Sequence, residues 1–347
     1  MKKSFTLIEV LIVLVILGIL ATITTKILIK VYENYYYSKE YNRLAYQTDI
    51  ALNLIASKLT HRVKNSLIAV KCDVNSSGCI NGNIQAFDTL AVVSDKNESE
   101  RSQYKVLEWL GIDVYSQRGM WDDNLKEVTP GFSGFVDLNQ TKVYPGDEYN
   151  ITSPDSNFSI VEDIDSNWTA QYGISGNIFS NKYEVLIFSG NDDRGDFLDI
   201  NTSYGFYKSL YPNCKATRVF KINSYRVFAD PNNVPKTELN ITAVDESNST
   251  TVYEKYYLVN SAYAIVPVAN KDSSGNIIDY NLTLFYNYYP WNSQIYTDGN
   301  ESTIVSHVTQ FKFRDQNGVV RILLCIDSPK IKFNGEPITV CKEKVVF

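Results

Sequence analysis

The sequence predicts an α+β protein: a long N-terminal α-helix, apolar in its first half and amphipathic in its second, packed on an antiparallel β-rich head with large loop insertions. Three observations predict it. Residues 5–25 form an apolar run behind Lys2 and Lys3. No Gly falls between Gly18 and Gly78 and the first Pro is Pro130, so no helix breaker interrupts the chain from Phe5 to about Leu67. Beyond Cys79 the pattern changes to short apolar runs separated by Gly, Asn and Asp, the punctuation of strands and turns.

At about 1.5 Å per residue, residues 5–25 cover the roughly 30 Å hydrocarbon core of a membrane. Within them stands one acid, Glu9. A carboxylate at the centre of a lipid-facing helix costs about 2.5–3.5 kcal/mol or more, so it implies a function and a partner. A secretory signal peptide fits poorly, because Ile19-Leu20-Ala21 lacks a small first residue and Glu9 would damage the apolar region. A simple membrane anchor leaves Glu9 unexplained. Over residues 26–70 the helix is predicted to continue, with Leu52, Ile55, Ala56, Leu59 and Val63 recurring at steps of three and four. Lys58, Arg62 and Lys64 take the polar face.

Candidate strands of the head, residues 71–347, are Thr89–Val93, Lys105–Leu110, Tyr183–Ser189, Ala216–Phe228, Val252–Val266, Asn281–Tyr288, Val308–Phe313 and Val319–Ile326. Gln316-Asn317-Gly318 between the last two is a hairpin turn, and Asn334-Gly335 marks another. Residues 139–170 are polar and poor in apolar periodicity, and read as an inserted loop region. Pro231, Asn232, Asn233 and Pro235 mark a further break.

The run Met1-Lys2-Lys3-Ser4, then Phe5-Thr6-Leu7-Ile8-Glu9-Val10, resembles the type IV prepilin signature. The resemblance implies a leader of residues 1–4, cut between Ser4 and Phe5 by a prepilin peptidase that also methylates the new Phe5 amine. It implies that Glu9 pairs with the N-terminus of a neighbouring subunit during filament assembly. One departure is Ser4, where the family usually carries Gly. The helix 49–67 resembles the corresponding stretch of J-type pseudopilins and W-type minor pilins, whose lower helix packs on a β-rich pilin head. K-type tip pseudopilins commonly lack the acid, so Glu9 favours the J or W type.

Net charge is −6, which argues against a nonspecific nucleic-acid surface. The 25 Tyr and 16 Phe suit β-structure with a half-exposed aromatic surface. With Lys2 and Lys3 inside, the positive-inside rule sends the remainder out of the cytoplasm, where disulfides are permitted. Cys72 and Cys79 flank the turn-forming Asn75-Ser76-Ser77-Gly78, and Cys325 and Cys341 flank a hairpin. These are the favoured bridges among several pairings; Cys214 is left over.

Every Asn-x-Ser/Thr in the chain has an acid two residues upstream. The acceptors are Asn75, Asn97, Asn139, Asn150, Asn157, Asn167, Asn201, Asn240, Asn248, Asn281 and Asn300. For random placement of acids, the chance of this is below roughly 10⁻¹⁰. The pattern resembles the extended acceptor of bacterial oligosaccharyltransferases, which implies such an enzyme as a partner and glycan-bearing surface loops between strands.

No cofactor is required by this reading. The acidic segment from Asn191 to Asp199 is either a plain turn or a Ca²⁺ loop with Asp193, Asp196 and Asp199 as ligands. Catalytic motifs are lacking, and two histidines, His61 and His307, poorly supply a nucleophile–base pair, so the chain reads as a non-enzyme. The expected function is a minor pilin or pseudopilin near the tip of a type IV pilus or type II secretion pseudopilus. It would be held first in the inner membrane with its head in the periplasm, then moved into the filament, where it primes assembly beside other pilin subunits. The alternatives are a filament-tip adhesin or substrate-binding module, and a membrane-anchored periplasmic protein.

Overall fold

Helix α1 runs from Leu7 to Thr60 in the computed structural model, which describes residues 6–72, 79, 84–122, 126–173, 176–189, 199–231, 234–246, 251–333 and 335–347. At 1.5 Å per residue the helix is about 80 Å long. Residues 6–39 are exposed all round, and burial begins at Glu40. From there Leu44, Thr48, Ala51, Leu52, Ile55, Ala56 and Leu59 form one buried stripe at three- and four-residue steps. The helix stops at Thr60, short of the predicted end near residue 70. Tertiary pairing captures the chain there: Ile112 N–H donates to His61 O at 2.8 Å, and Val63 N–H to Leu110 O at 2.9 Å. Residues 61–63 thereby exchange the helical ladder for a strand edge, and a 3₁₀ turn, Lys64–Ser66, follows.

Among the described residues fifteen strands follow: β1 (Ile68–Cys72), β2 (Ile84–Thr89), β3 (Tyr104–Ile112), β4 (Met120–Asp122), β5 (Glu127–Thr129), β6 (Asp137–Tyr144), β7 (Glu148–Pro154), β8 (Val185–Phe188), β9 (Phe220–Ala229), β10 (Pro235–Ala243), β11 (Tyr256–Lys271), β12 (Ile277–Tyr288), β13 (Asn300–Gln316), β14 (Val319–Phe333) and β15 (Glu336–Val346). Short helices α2 (Leu90–Ser94), α3 (Glu98–Arg101), α4 (Val114–Arg118) and α6 (Ile200–Ser203) lie between them, with the longer α5 at Phe158–Gln171. A 13-stranded sheet has the order β15-β14-β13-β12-β11-β8-β9-β10-β7-β6, joined at β11 by β3, then β1, then β2. Strand β11 is its spine. Tyr256–Val259 pair with β8, Val259–Ile265 with β3, and Ala262–Lys271 with β12, all antiparallel.

Two segments differ from the sequence-based expectation. Thr89 ends β2 and its hydroxyl accepts from Val92 N–H at 3.3 Å, so the run after it starts a helix that buries Leu90 and Val93. Residues 139–170 hold β6, β7 and α5 in place of a loop region. Strand β7 pairs with β10 from Glu148 to Pro154, and α5 buries Phe158, Val161, Asp165 and Thr169. The hairpin at residues 316–318 is as expected, with Asn317 at φ 55° and Gly318 at φ 79°, the pair a type I′ turn requires.

Three cores result. The buried stripe of α1 packs with Leu67, Ile265, Leu282, Ile322 and Leu324 of the sheet. An aromatic core gathers Tyr204, Phe206, Tyr207, Tyr288, Trp291 and Tyr296 around Ile68 and Val106. A third packs Phe158 and Val161 of α5 on Ile151, Phe220, Leu239 and Leu258. Burying each such aliphatic or aromatic side chain contributes about 1.5–3 kcal/mol. The disulfides Cys72–Cys79 and Cys325–Cys341 are both formed, the second across the paired positions of β14 and β15, and Cys214 is a buried free thiol.

Candidate functional site

Ser4, Phe5 and the rest of residues 1–5 lie outside the described residues, so the site at the helix tip is built from Thr6 onwards. Thr6 is the extended N-cap of α1. Its N–H and its hydroxyl both donate to Glu9 Oε2, at 3.0 and 2.9 Å. Glu9 therefore closes the first helical turn, the acid's half of a capping box. Among the described residues no cation pairs with it. Around it Leu7, Ile8, Val10, Leu11, Ile12 and Val13 are all exposed. Helix α1 is the one described helix long and apolar enough to cross a membrane. A carboxylate in this setting can accept a further hydrogen bond or an ion pair from outside the chain.

The extended acceptors do not all fall on loops. Asn150, Asn240 and Asn281 lie inside β7, β10 and β12, Asn139 inside β6, Asn300 at the start of β13, and Asn167 and Asn201 inside α5 and α6. Asn240 and Asn150 face each other in register, and Asn240 Nδ2 donates to Asn150 Oδ1 and Glu148 Oε1, each at 2.7 Å. Cross-strand ladders of this kind hold polar faces of paired strands together, which is why these positions are not loops. Asn97 and Asn157 cap α3 and α5. Asn97, Asn139, Asn167, Asn201 and Asn300 are exposed; Asn75 and Asn248 lie outside the described residues. Several upstream acids have local structural roles: Asp137 accepts from Asn139 N–H at 3.0 Å, and Asp199 from Asn201 N–H at 3.1 Å.

Of the suggested Ca²⁺ ligands, Asp193 and Asp196 lie outside the described residues. Asp199 caps α6, with its carboxylate on the Asn201 backbone and side-chain amides.

A different acidic group lies at the junction of the second and third cores. Asp113 leaves β3 and caps α4, its Oδ1 accepting from Tyr115 and Ser116 N–H at 3.1 Å each. Asp165 projects from α5, and its Oδ1 accepts from Asn260 Nδ2 at 3.2 Å. Glu184 stands immediately before β8. One carboxylate oxygen from each lies within 4.8 Å of the other two. Their exposures are 1%, 4% and 0%. Asp113 Oδ2, Asp165 Oδ2 and both oxygens of Glu184 lack a hydrogen-bond partner apart from the contact between the Asp165 and Glu184 carboxyls. Burial, with Asp165 alongside, pushes Asp113 up to about 7. Burial, then Asp165 and Asp113, pushes Glu184 well above the usual carboxylate range. Asp113 and Asp165 also line a cleft of about 530 Å³ with Lys58, His61, Arg118 and Trp168. Sequence reasoning missed this trio because its members are distant in sequence, and Asp165 was absorbed as the acid before Asn167. The available signal was its place on the buried face of α5, in step with Phe158, Val161 and Thr169.

Residues 1–25 match the family model for the prokaryotic N-terminal methylation motif. No characterised protein and no solved structure matches the chain. The motif heads an apolar helix whose second half carries an antiparallel β-head, an arrangement consistent with inner-membrane anchoring followed by assembly with other pilins. The motif and the fold together support a type IV prepilin-like protein, and the motif implies processing by a prepilin peptidase.

Proposed function

We propose that the mature chain, starting at Phe5, is a minor pilin or pseudopilin that enters near the tip of a type IV filament and primes its assembly. The observation that carries this reading is the unpartnered upper half of α1. Residues 6–39 stand exposed beyond the head, apolar through Ile29 save for Glu9, Lys26 and a few small polar residues. Lipid covers that surface first, with the head outside the cytoplasm; a bundle of subunit helices covers it later. In the bundle Glu9 meets the Phe5 amine of an adjacent subunit, and the ion pair offsets the cost of taking the carboxylate out of water. The size of the head and the amphipathic stretch up to Thr60 favour a J- or W-type subunit over a repeating major one.

Exposed acceptors of the extended type, Asn97, Asn139, Asn201 and Asn300, are proposed to carry glycans added by a bacterial oligosaccharyltransferase.

Glu9→Ala tests the pairing. Its amount in membranes should match the unaltered chain, while its amount in sheared filaments falls about tenfold or more. Equal incorporation of the variant would refute the pairing. Deleting the gene separates assembly from adhesion: loss of filaments supports priming, whereas normal filaments that no longer attach support a tip adhesin.

A further inference from the structure

We propose that Asp113, Asp165 and Glu184 form a binding site for one divalent cation, Ca²⁺ by the chemistry of its donors, which ties helix α5 to the central sheet. This goes beyond the filament reading and does not depend on it.

The trio differs from an ordinary acidic cluster in being almost wholly buried and in having no counter-charge among the described residues. Glu184 is wholly buried, one of its oxygens lies within 4.8 Å of an oxygen of each of the other two carboxylates, and neither oxygen has a hydrogen-bond donor. Among the described residues no Lys, Arg or His forms an ion pair with any of the three. Of the cleft's cations, Lys58 is engaged elsewhere: its Nζ sits over the Tyr263 ring, 4.9 Å from the centroid. Buried carboxylates without pairing are among the costliest arrangements in a protein, so an unmet requirement for positive charge lies at this point.

Two occupants meet it: protons, one of them shared between Asp165 and Glu184, or a metal ion. Four free carboxylate oxygens favour the metal, because a shared proton satisfies only two of them. The donor set is all oxygen, with no His or Cys, which selects a hard cation over zinc or copper. One oxygen from each carboxylate lies within 4.8 Å of the other two, a span that Ca²⁺ ligands, each about 2.3–2.6 Å from the ion, can bridge, and Ca²⁺ accepts an irregular oxygen shell more readily than Mg²⁺. The cleft beside Asp113 and Asp165 gives water access to complete the shell.

The three ligands come from separate parts of the fold: the end of β3, the middle of α5, and the start of β8. One ion would therefore fasten the β6–β7–α5 layer to the strands that flank β11. Asp165 is then a ligand, and it is too buried in the folded head to present the acid of the Asn167 acceptor.

The test uses the full chain, purified in detergent and stripped with EDTA. Terbium, read by luminescence sensitised through Tyr263 and Trp168 of the adjoining cleft, should saturate at about one equivalent and be displaced by Ca²⁺. Millimolar Ca²⁺ should raise the thermal midpoint by several degrees over EDTA. In Glu184→Gln the Ca²⁺-dependent rise should vanish and affinity fall about tenfold or more, while the midpoint in EDTA stays level or rises because a buried charge is gone. Should that variant fail to fold, Asp165→Asn carries the same comparison. Asp193→Asn with Asp196→Asn should leave every readout unchanged. An absent Ca²⁺ response in the unaltered chain would overturn the proposal in favour of a shared proton. So would a response that survives Glu184→Gln or Asp165→Asn, or one lost with Asp193 and Asp196.

Discussion

Glu108 and Glu9 are two carboxylates in apolar surroundings with opposite solutions. Glu108, on β3, is 1% exposed and is held from within: Tyr207 donates to Oε2 at 2.5 Å and Tyr288 to Oε1 at 2.8 Å. Burial nevertheless pushes it from 4.5 up to about 7, since two phenols return only part of its lost hydration. A folded-state value above the unfolded one means that this residue's contribution is complete below about pH 4.5 and is lost as pH rises through about 7. The loss is on the order of 3 kcal/mol. Glu108→Gln should therefore flatten the fall in thermal midpoint between about pH 5 and about pH 8, measured at fixed Ca²⁺. An unchanged slope would show that Glu108 is not the titrating group. Glu9 is the reverse case, exposed on bare helix and closing its own first turn, with its proposed partner on another chain.

At the scale of elements, the acceptor asparagines divide by local structure. Transfer to a folded head needs pliable, accessible backbone, which the paired strands around Asn150, Asn240 and Asn281 do not offer. Glycopeptide mapping should therefore find glycan concentrated on Asn97, Asn139, Asn201 and Asn300. Occupancy confined to Asn150, Asn167, Asn240 and Asn281 would contradict this. The same elements show what was legible in the sequence. The buried stripe from Leu52 to Leu59, the Asn317-Gly318 turn and both disulfides follow from local spacing and composition. The end of α1 does not, because His61 and Val63 leave the helix for partners on β3 that lie far along the chain. Neither does α5, whose apolar positions are interrupted by Asp165, nor α2, whose Leu-Ala-Val-Val reads as a strand until Thr89 caps it. The carboxylate trio was illegible for the same reason: Asp113, Asp165 and Glu184 meet only through the topology around β11.

For the whole molecule, the layout separates two tasks. Half of α1 is reserved for lipid and then for other subunits, while the other half is the floor on which the first core is built. The second and third cores build the rest of the head, and the cleft beside Asp113 and Asp165 is lined by residues of α1, α4 and α5. The account as a whole rests on a free amine being made next to Glu9 in a neighbouring copy. N-terminal mass analysis of the chain recovered from filaments tests that most directly. It should begin at Phe5 carrying one added methyl group; a terminus at Met1, or one downstream of Ala21, would contradict it.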